Sequence, residues 1–471
     1  MMFSKILFGL ACLQILCLGG RAQVNLKPES PNILFIVVDD LNDWTRLFDA
    51  QHPIRLPNIQ GLAQHGAFFS HAYSSSPACN PSRASVMTGT RPHKTGIYGN
   101  KSDWRKALPK AKTLQQFFMD RGYYVAGAGK IFHHHRDWAY HDQASFDEFL
   151  LMNLNKPYPP QKLNGLPEYG SRNTDWGPWP EQLESTGDYK TAQFAIDFLK
   201  RDHTHPFFLN VGIYKPHSPF FAPRAYFDEY PMDSLEMPRL NEEDWVDLPT
   251  GAAQLMKEKK WFWTGMTTAL QKKPKAYREF VQAYQACASF ADDMVGSVIE
   301  ALDKSPYKDN TIIVLWSDHG FHLGEKEHIE KFALWEKATH VPLIIIAPGQ
   351  IAPKTIIEHP VDLTVLYPTL AELCGFEPPD LDGKSVLPLL QGASDPFPPA
   401  LMTYGKGNHA IRTNRWRYIH YADGSEELYD HEQDPQEWNN LADQKAYKLL
   451  IKELQQFLPT SNAEQVADLK W

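Results

Sequence analysis

Apolar runs alternate with segments of helical spacing along most of the chain. The run at 32–38 is rich in β-branched residues and ends at two aspartates, which is typical of a strand buried on both faces. Strand-like runs follow at 206–213, 311–316 and 341–347. Helical spacing is found between them, at 113–122, 191–201 and 283–302. This alternation predicts an α/β fold with a large mixed, mostly parallel sheet flanked by helices.

The last part of the chain has a different pattern. A connector rich in Pro, Gly and Ser lies near 390–399, and short alternations of apolar and polar residues follow between 410 and 430. These alternations predict a small antiparallel sheet, and the spacing at 443–458 predicts a closing helix. We therefore expect a large N-terminal domain over 23–392 and a C-terminal subdomain over 393–471.

Residues 1–22 are typical of a secretory signal peptide. A single early cation, Lys5, precedes an apolar run at 6–18, and small residues lead to an expected cleavage site after Ala22. The alternative is a membrane anchor, but the apolar run is short for a membrane span. We expect an exported protein, periplasmic or extracellular, without stable membrane insertion.

The net charge indicates which binding partners are expected, and the number of cysteines indicates whether all of them can be paired. Lys and Arg total 47 against 56 Asp and Glu, so the formal charge is −9 and no global basic field exists to attract nucleic acid. Any anionic substrate must therefore be held by a local cluster of cations. After the signal peptide the cysteines are Cys79, Cys287 and Cys374. An odd number in an exported protein indicates that at least one is unpaired or chemically altered.

Two polar pairs lie just past the ends of predicted strands. Asp39-Asp40 follows the run at 32–38, and Asp318-His319 follows the run at 311–316. In open α/β sheets ligands bind at the carboxyl ends of the strands, and adjacent carboxylates suit a hard divalent cation. Each pair by itself is more commonly a solvated turn or a helix cap, so the pairs identify a metal site only in combination with other motifs.

A third polar cluster surrounds Cys79. Pro81 suits the first turn of a helix, so Cys79 is expected at a helix N-terminus, where backbone N–H groups and the helix dipole favour an anion. Arg83 lies one turn further on, where its guanidinium could bind an oxyanion. The alternative for this cysteine alone is a small buried side chain before a helix.

The pattern Cys-x-Pro-Ser-Arg over 79–83, followed by Ser-x-x-Thr-Gly over 85–89, resembles the signature of the formylglycine-dependent, or type I, sulfatases. Further motifs resemble elements of that family in the same order. They are Gly129-Lys130 with His133, Lys215-Pro216-His217, Ser317-Asp318-His319-Gly320, and Lys331 ahead of Thr339-His340-Val341-Pro342-Leu343. The resemblance covers nearly the whole chain after the signal peptide. It is closest to the iduronate-2-sulfatase-like branch, which carries a histidine where many sulfatases have asparagine.

The resemblance implies a fold, a modification and a metal. The fold is the alkaline-phosphatase-like sulfatase fold with a small C-terminal antiparallel sheet. In this family the motif cysteine, here Cys79, is converted by a formylglycine-generating enzyme to formylglycine (3-oxoalanine). One Ca²⁺ is expected per chain, with ligands at Asp39, Asp40, Asp318, His319 and the modified Cys79.

The resemblance also implies how the reaction proceeds. One hydroxyl of the hydrated formylglycine attacks sulfur. Arg83, Lys130 and Lys331 neutralise the sulfate oxygens and the charge of the transition state. His217 is the expected acid that protonates the departing sugar oxygen, and His133 is the expected base for the second hydroxyl. An unmodified thiolate has no second hydroxyl with which to release sulfate.

The expected substrate is a sulfated oligosaccharide or polysaccharide outside the cell. Uronate-containing glycosaminoglycans and algal polysaccharides such as ulvan both fit a pocket lined by cations. His409 and Arg412, on the predicted C-terminal sheet, are expected to contact a neighbouring uronate or sulfate. Two alternatives remain open at this stage. One is a phosphatase or phosphodiesterase of the same superfamily, and the other is a glycan-binding protein in which Cys79 stays unmodified.

Overall fold

The computed structural model describes residues 30–133, 140–154, 156–393 and 397–469. The expected signal peptide at 1–22 lies outside these ranges. Within them, no helix is both long enough and apolar enough to cross a membrane. The expected domain boundary between residues 392 and 393 lies next to 394–396, which are also outside the described ranges, and it stays a prediction.

The strands and helices of the described chain have the following bounds. The strands are β1 (Asn32–Val38), β2 (Ala67–Phe69), β3 (Ala72–Tyr73), β4 (Tyr124–Gly129), β5 (Glu148–Leu150), β6 (Trp176–Pro178), β7 (Phe207–Ile213), β8 (Phe220–Ala222), β9 (Thr311–Ser317), β10 (His322–Leu323), β11 (Ile329–Glu330), β12 (His340–Val341), β13 (Leu343–Ile346), β14 (Thr355–Ile357), β15 (Val361–Asp362), β16 (Ala400–Thr403), β17 (His409–Arg412), β18 (Trp416–His420) and β19 (Glu426–Asp430). The helices are α1 (Pro57–Ala63), α2 (Cys79–Thr88), α3 (Pro92–Thr95), α4 (Trp104–Ala107), α5 (Leu114–Met119), α6 (Gly187–Leu199), α7 (Arg224–Asp228), α8 (Thr250–Met256), α9 (Trp261–Lys272), α10 (Ala276–Asp303), α11 (Glu336–Thr339), α12 (Leu366–Leu373), α13 (Leu387–Leu390) and α14 (Lys448–Leu454).

The central sheet has eight strands in the order β14-β2-β13-β9-β1-β7-β4-β5. β1 is parallel to both β7 and β9, β4 is parallel to β7 and β5, and β14 is parallel to β2. β13 is antiparallel to β9 and β2. The predicted mixed, mostly parallel sheet is therefore confirmed.

Both faces of the central sheet are covered, which explains the uninterrupted apolar run of β1. Leu34, Ile36 and Val38 belong to one hydrophobic core, which also contains most of α10. Ile33, Phe35 and Val37 point to the opposite core. Because successive side chains of a strand point to opposite faces, a strand covered on both sides has no polar alternation.

The C-terminal antiparallel sheet is also confirmed. Strands β16 to β19 pair in consecutive antiparallel order. Its edge is joined to the main domain where the Thr403 N–H donates to the Ser75 carbonyl at 2.9 Å, just before α2 begins. The predicted closing helix at 443–458 is shorter than expected, because only Lys448–Leu454 is α-helical and 3₁₀ turns flank it.

Candidate active site

The first two polar pairs meet because β1 and β9 are parallel neighbours that end at the same edge of the sheet. Val38 pairs with Ser317, so the residues that follow each strand lie side by side. The Asp40 N–H donates to Oδ1 of Asp318 at 3.2 Å. Asp40 adopts a φ of 62°, a conformation that non-glycine residues seldom take, and its carbonyl accepts the Tyr284 hydroxyl at 2.7 Å. These contacts fix a bend that turns both Asp39 and Asp40 into the site.

Cys79 is the first residue of α2, as the position of Pro81 predicted. Its side chain is fully buried. Nε2 of His319 lies 3.2 Å from Sγ and Nζ of Lys130 lies 3.5 Å from it. The helix is held against the strand end because the Ser82 hydroxyl donates to the Asp318 carbonyl at 2.5 Å. The cysteine and the acidic pairs therefore form a single buried cluster.

The donor atoms of this cluster fit a divalent cation. One ligand atom each from Asp39, Cys79, Asp318 and His319 lie within 4.8 Å of one another. An oxygen of Asp40 and a ring nitrogen of His217 form a second such group with Cys79. The Nδ1 position of His319 lies 3.0 Å from the Gly320 carbonyl, an arrangement that directs Nε2 towards the carboxylates. Oxygens of Asp40 and Asp318 each lie 3.5 Å from Nε2 of His319, and such a gathering of carboxylates suits a hard cation such as Ca²⁺.

Two lysines neutralise the carboxylates at this point. Nζ of Lys130 lies 2.5 Å from Oδ2 of Asp39, and Nζ of Lys331 lies 2.8 and 3.0 Å from the two oxygens of Asp40. Burial alone would raise the pKa of Asp39, but Lys130 and Arg83 hold it well below its usual value. Burial alone would lower the pKa of Lys331, but the ion pair with Asp40 keeps it well above that of a free lysine. Both ammonium groups are therefore charged where an anion would bind.

The thiol of Cys79 is strongly perturbed by these neighbours. Burial by itself would raise its pKa, but Lys130, Lys331 and His319 together lower that pKa well below the usual value. A hydrogen bond with the His133 side chain acts in the same direction. An anion at this position is therefore strongly stabilised, which is the property that a sulfate-binding site needs.

Arg83 is hydrogen-bonded to two carboxylates of the cluster. Its Nε donates to Oδ2 of Asp318 at 2.8 Å and its Nη2 donates to Oδ1 of Asp39 at 2.9 Å. Its Nη1 donates to the carbonyls of Lys130 and Ile131. The guanidinium is thus used to position two carboxylates and the turn of Lys130. The expectation that Arg83 also neutralises the sulfate oxygens stays a prediction.

The two predicted acid–base histidines both reach the cluster. A ring nitrogen of His217 lies within 4.8 Å of an Asp40 oxygen and the Cys79 sulfur, and its Nδ1 lies 2.6 Å from the Ser218 carbonyl. His133 is half-buried, and its ring packs 6.2 Å from that of Tyr140. Both imidazoles border the cysteine, as an acid and a base for that centre must.

Three positioning residues were missed by the sequence analysis. The rings of Tyr140 and Tyr214 lie 5.6 and 5.4 Å from Nζ of Lys130. Asp188, at the start of α6, accepts the N–H groups of Tyr214 at 2.6 Å and Lys215 at 3.0 Å. Asp188 therefore fixes the turn that presents His217. No short motif marks these residues, since they act through the packing of distant segments.

The structure does not bring His409 and Arg412 into the cluster. Nε of Arg412 donates to Oε2 of the buried Glu336 at 3.2 Å, and the rest of its guanidinium donates to nearby carbonyls. The expected substrate contact of Arg412 would break this buried ion pair, and it stays a prediction. His409 is also buried, with Nδ1 3.0 Å from the Thr403 hydroxyl.

Comparisons with known proteins agree with this geometry. Residues 31–376 match a family model described as Sulfatase, and 324–464 match one described as N-sulphoglucosamine sulphohydrolase, C-terminal. A protein named Sulfatase from Formosa agariphila is 37% identical over 468 residues, which is 94% of this chain and 89% of the relative. A Delta 4,5-hexuronate-2-O-sulfatase from Bacteroides thetaiotaomicron is 29% identical over 92% of this chain and 89% of its own length. A solved structure described as a 2-O GAG sulfatase is 25% identical, with a TM-score of 0.68 over 90% of both chains.

Proposed function

The chain belongs to the sulfatase family and is a sulfuric ester hydrolase, and from that premise we propose that it removes a 2-O-sulfate from a sulfated hexuronate. The observation that supports a catalytic site is the burial of Cys79 between two lysines, three carboxylates and three histidines. Because the chain belongs to this family, a phosphatase and a non-catalytic glycan-binding protein are no longer the leading explanations of its function. Export and maturation by a formylglycine-generating enzyme remain part of the proposal.

We propose that Asp39, Asp40, Asp318 and His319 hold one Ca²⁺ together with the modified Cys79. When bound, the ion would draw electron density from a sulfate oxygen and orient the ester. The chain itself keeps its carboxylates in place for this purpose through Arg83, which bridges Asp39 and Asp318. The tautomer of His319 is set by the Gly320 carbonyl.

The remaining residues bind the sulfate and move protons. Lys130 and Lys331 lie on two sides of the cluster and bind the sulfate oxygens, whose charge grows as the ester bond breaks. Conversion of Cys79 to formylglycine supplies a hydrated aldehyde whose hydroxyl is the nucleophile. His217 donates a proton to the departing sugar oxygen, and His133 accepts a proton from the group at position 79. Both histidines border that residue, which supports these roles.

The substrate is proposed from the relatives. One relative is named for the 2-O-sulfate of an unsaturated hexuronate, and a solved structure is described as acting on the 2-O-sulfate of glycosaminoglycans. A 2-O-sulfated uronate of a glycosaminoglycan oligosaccharide is therefore our first proposal. Sulfated uronate-containing algal polysaccharides such as ulvan share the same chemical group and are the second.

The test is sulfate release, measured by ion chromatography, from a panel of substrates. The panel holds a 2-O-sulfated uronate disaccharide, the 6-O- and N-sulfated disaccharides of the same series, ulvan oligosaccharides and an aryl sulfate. The enzyme is produced together with a formylglycine-generating enzyme. We expect the 2-O-sulfated uronate to be hydrolysed fastest among the disaccharides. Preference for 6-O- or N-sulfate would contradict the proposed substrate while leaving the hydrolase activity intact.

The role of His217 predicts a dependence on the leaving group. His217→Ala is expected to lower kcat/KM on the sugar sulfate by about 10²–10⁴-fold, since an alkoxide leaves poorly without a proton. On nitrophenyl sulfate the loss is expected to be small, because a nitrophenolate leaves without protonation. His205→Ala, at an exposed position, is the control and is expected to leave both rates unchanged. Equal losses of His217→Ala on both substrates would contradict the acid role.

Calcium binding predicts a thermal shift that does not depend on activity. At a Ca²⁺ concentration of about 100 Kd, binding to the folded state adds about 2.7 kcal/mol to the free energy of unfolding. We expect Ca²⁺ to raise Tm in the wild type and chelation to reverse the increase. In Asp318→Asn the Ca²⁺-dependent increment is expected to be strongly reduced, and in Asp309→Asn, at an exposed position, it is expected to persist. A wild-type Tm that does not respond to Ca²⁺ would contradict the metal assignment.

A further inference from the structure

Glu330 directly precedes Lys331 but has no role in the proposed reaction. It is half-buried at the end of β11, and its backbone has a φ of 109°, which non-glycine residues rarely adopt. Within the ranges that the structure describes, no hydrogen bond or ion pair reaches its carboxylate. A half-buried carboxylate without a partner costs free energy, and strained backbone of this kind concentrates at functional sites. The position therefore calls for a ligand that donates hydrogen bonds.

An aromatic pair and a second lysine lie on the same side of the site. The rings of Phe332 and Tyr404 form a pair with centroids 5.9 Å apart, which we call the ring pair. Nζ of Lys259 lies 4.6 Å from the Phe332 centroid, and Nζ of Lys331 lies 5.8 Å from it. Because both ammonium groups lie near the same ring, the distance between them cannot exceed the sum of these two distances. Lys259 is half-buried, and no carboxylate in the described part of the chain pairs with it.

Electrostatic interactions connect Glu330 with Lys331, Lys259 and Tyr404. Burial raises the pKa of Glu330 to about 7, and the nearby charges of Lys331 and Lys259 oppose that increase. Asp40 and Cys79 also act on it, so the carboxyl group lies within electrostatic range of the catalytic cluster. Burial raises the pKa of Tyr404 as well, and the charge of Glu330 contributes to the increase. Glu330 therefore lies within electrostatic range of Lys331, Lys259 and Tyr404.

We propose that Glu330, Lys259 and the ring pair form a sugar subsite beside the position of the scissile sulfate. This inference rests on the proposed function and specifies how the sugar is recognised. Glu330 accepts a hydrogen bond from a free hydroxyl of the sulfated ring, and Lys259 binds the carboxylate of the uronate. The apolar face of the ring packs on Phe332 or Tyr404. A second sulfate in place of the free hydroxyl is repelled by Glu330, which makes this residue a determinant of specificity.

The chemistry of the four side chains favours a uronate over other anions. A site for two adjacent sulfates would place cations at both positions, whereas this one places a carboxylate next to Lys331 and a cation further out. A hydrogen bond from a hydroxyl to a charged acceptor is stronger than one to a neutral acceptor. Glu330 does not pair with the neighbouring Lys331, because the Lys331 ammonium is already bound to both oxygens of Asp40.

The test compares two substrates in the same variants. Glu330→Ala and Lys259→Gln are each expected to lower kcat/KM on the 2-O-sulfated uronate disaccharide by about tenfold or more, mainly through KM. On an aryl sulfate both variants are expected to stay within about twofold of the wild type, since that substrate has neither the hydroxyl nor the carboxylate. Glu330→Gln keeps an acceptor and is expected to lose less than Glu330→Ala. The controls Glu327→Gln, in the same loop, and Lys257→Gln are expected to behave as the wild type on both substrates.

Three results would overturn the subsite. One is an equal loss on both substrates, which would show that Glu330 only maintains the loop of Lys331. Another is no loss on either substrate. The third is a wild type that hydrolyses the aryl sulfate but none of the uronate sulfates. Failure of the proposed function is distinguishable, because in that case the wild type itself hydrolyses none of the uronate sulfates, whereas the first two results are measured in variants of a wild type that does hydrolyse them.

Discussion

Replacing Cys79 by alanine is expected to abolish sulfate release from every substrate, with a loss of at least about 10⁴-fold in kcat. In the proposed mechanism the substitution removes the side chain that supplies the nucleophile and one ligand of the metal. The fold is expected to survive, because the lysines of the site keep their carboxylate partners at Asp39 and Asp40. Sulfate release by ion chromatography and Tm by circular dichroism are the two measurements.

Cys374 provides the matched control for this prediction. It is a buried, free cysteine in one of the two cores, and burial raises the pKa of its thiol to about 12. Cys374→Ala also removes a buried sulfur atom, but this sulfur lacks the charged neighbours that surround Cys79. The variant is therefore expected to lower stability modestly and leave kcat unchanged. Comparable activity losses in both variants would contradict the special role of Cys79.

The second large effect is expected at Glu336, a residue that does not touch the substrate site. Its Oε2 accepts hydrogen bonds from both Arg412 and Arg417. Its Oε1 accepts the Tyr73 hydroxyl at 2.8 Å. Glu336→Gln leaves two buried guanidinium groups without their shared charge, and we expect a loss of about 3–5 kcal/mol in the free energy of unfolding. Urea unfolding measures this loss directly.

The control for Glu336→Gln is an exposed carboxylate. Glu432 pairs with Arg415 at 3.1 Å on the surface, with 60% of its side chain exposed. Surface pairs contribute about 0–1 kcal/mol, so Glu432→Gln is expected to have almost no effect. If the two variants lost similar stability, the importance of the buried network would be contradicted.

The same network predicts a pH dependence. Burial alone would raise the pKa of Glu336, but Arg412 and Arg417 hold it well below the ordinary value of 4.5. A carboxyl with a lowered pKa in the folded state contributes stability that is fully present above the unfolded pKa and is lost as pH falls below it. The difference in unfolding free energy between wild type and Glu336→Gln is therefore expected to shrink below about pH 4.5. A difference independent of pH would contradict this assignment.

The Glu336 network also links the C-terminal sheet to the catalytic site. Nη1 of Arg417 donates to the Leu334 carbonyl at 2.7 Å, and Nε1 of Trp335 donates to Oε2 of Glu427 at 2.8 Å. Both contacts hold the segment that follows Lys331. The small sheet thus stabilises the conformation that presents this lysine, although none of its predicted substrate contacts lies in the cluster.

The central sheet and the core of the site could be predicted from the sequence for one physical reason. A strand buried on both faces has an unbroken apolar run, so β1 and β9 are visible without any contact information. Residues that directly follow such strands must lie at the sheet edge, and Asp39 and Asp318 are found there. The cysteine was identifiable because its motif is specific and Pro81 marks the start of the helix.

The sequence could not predict the partners of buried side chains when those partners lie far away in the chain. Arg83 is bound to carboxylates supplied by two different strands, and Arg412 pairs with a glutamate 76 positions earlier. No local pattern indicates whether a buried arginine binds substrate or an internal carboxylate. The strained loop also escaped detection, because positive φ at Glu330 and Phe332 has no signal in their residue types.

The most direct test of the account is to correlate the chemical state of Cys79 with sulfate release. Preparations made with and without a formylglycine-generating enzyme contain different fractions of aldehyde at this residue, which peptide mass spectrometry measures. We expect the rate of sulfate release to rise in proportion to the aldehyde fraction and to fall to background when the residue is all thiol. Full activity in an all-thiol preparation, or none in a fully converted one, would contradict this expectation.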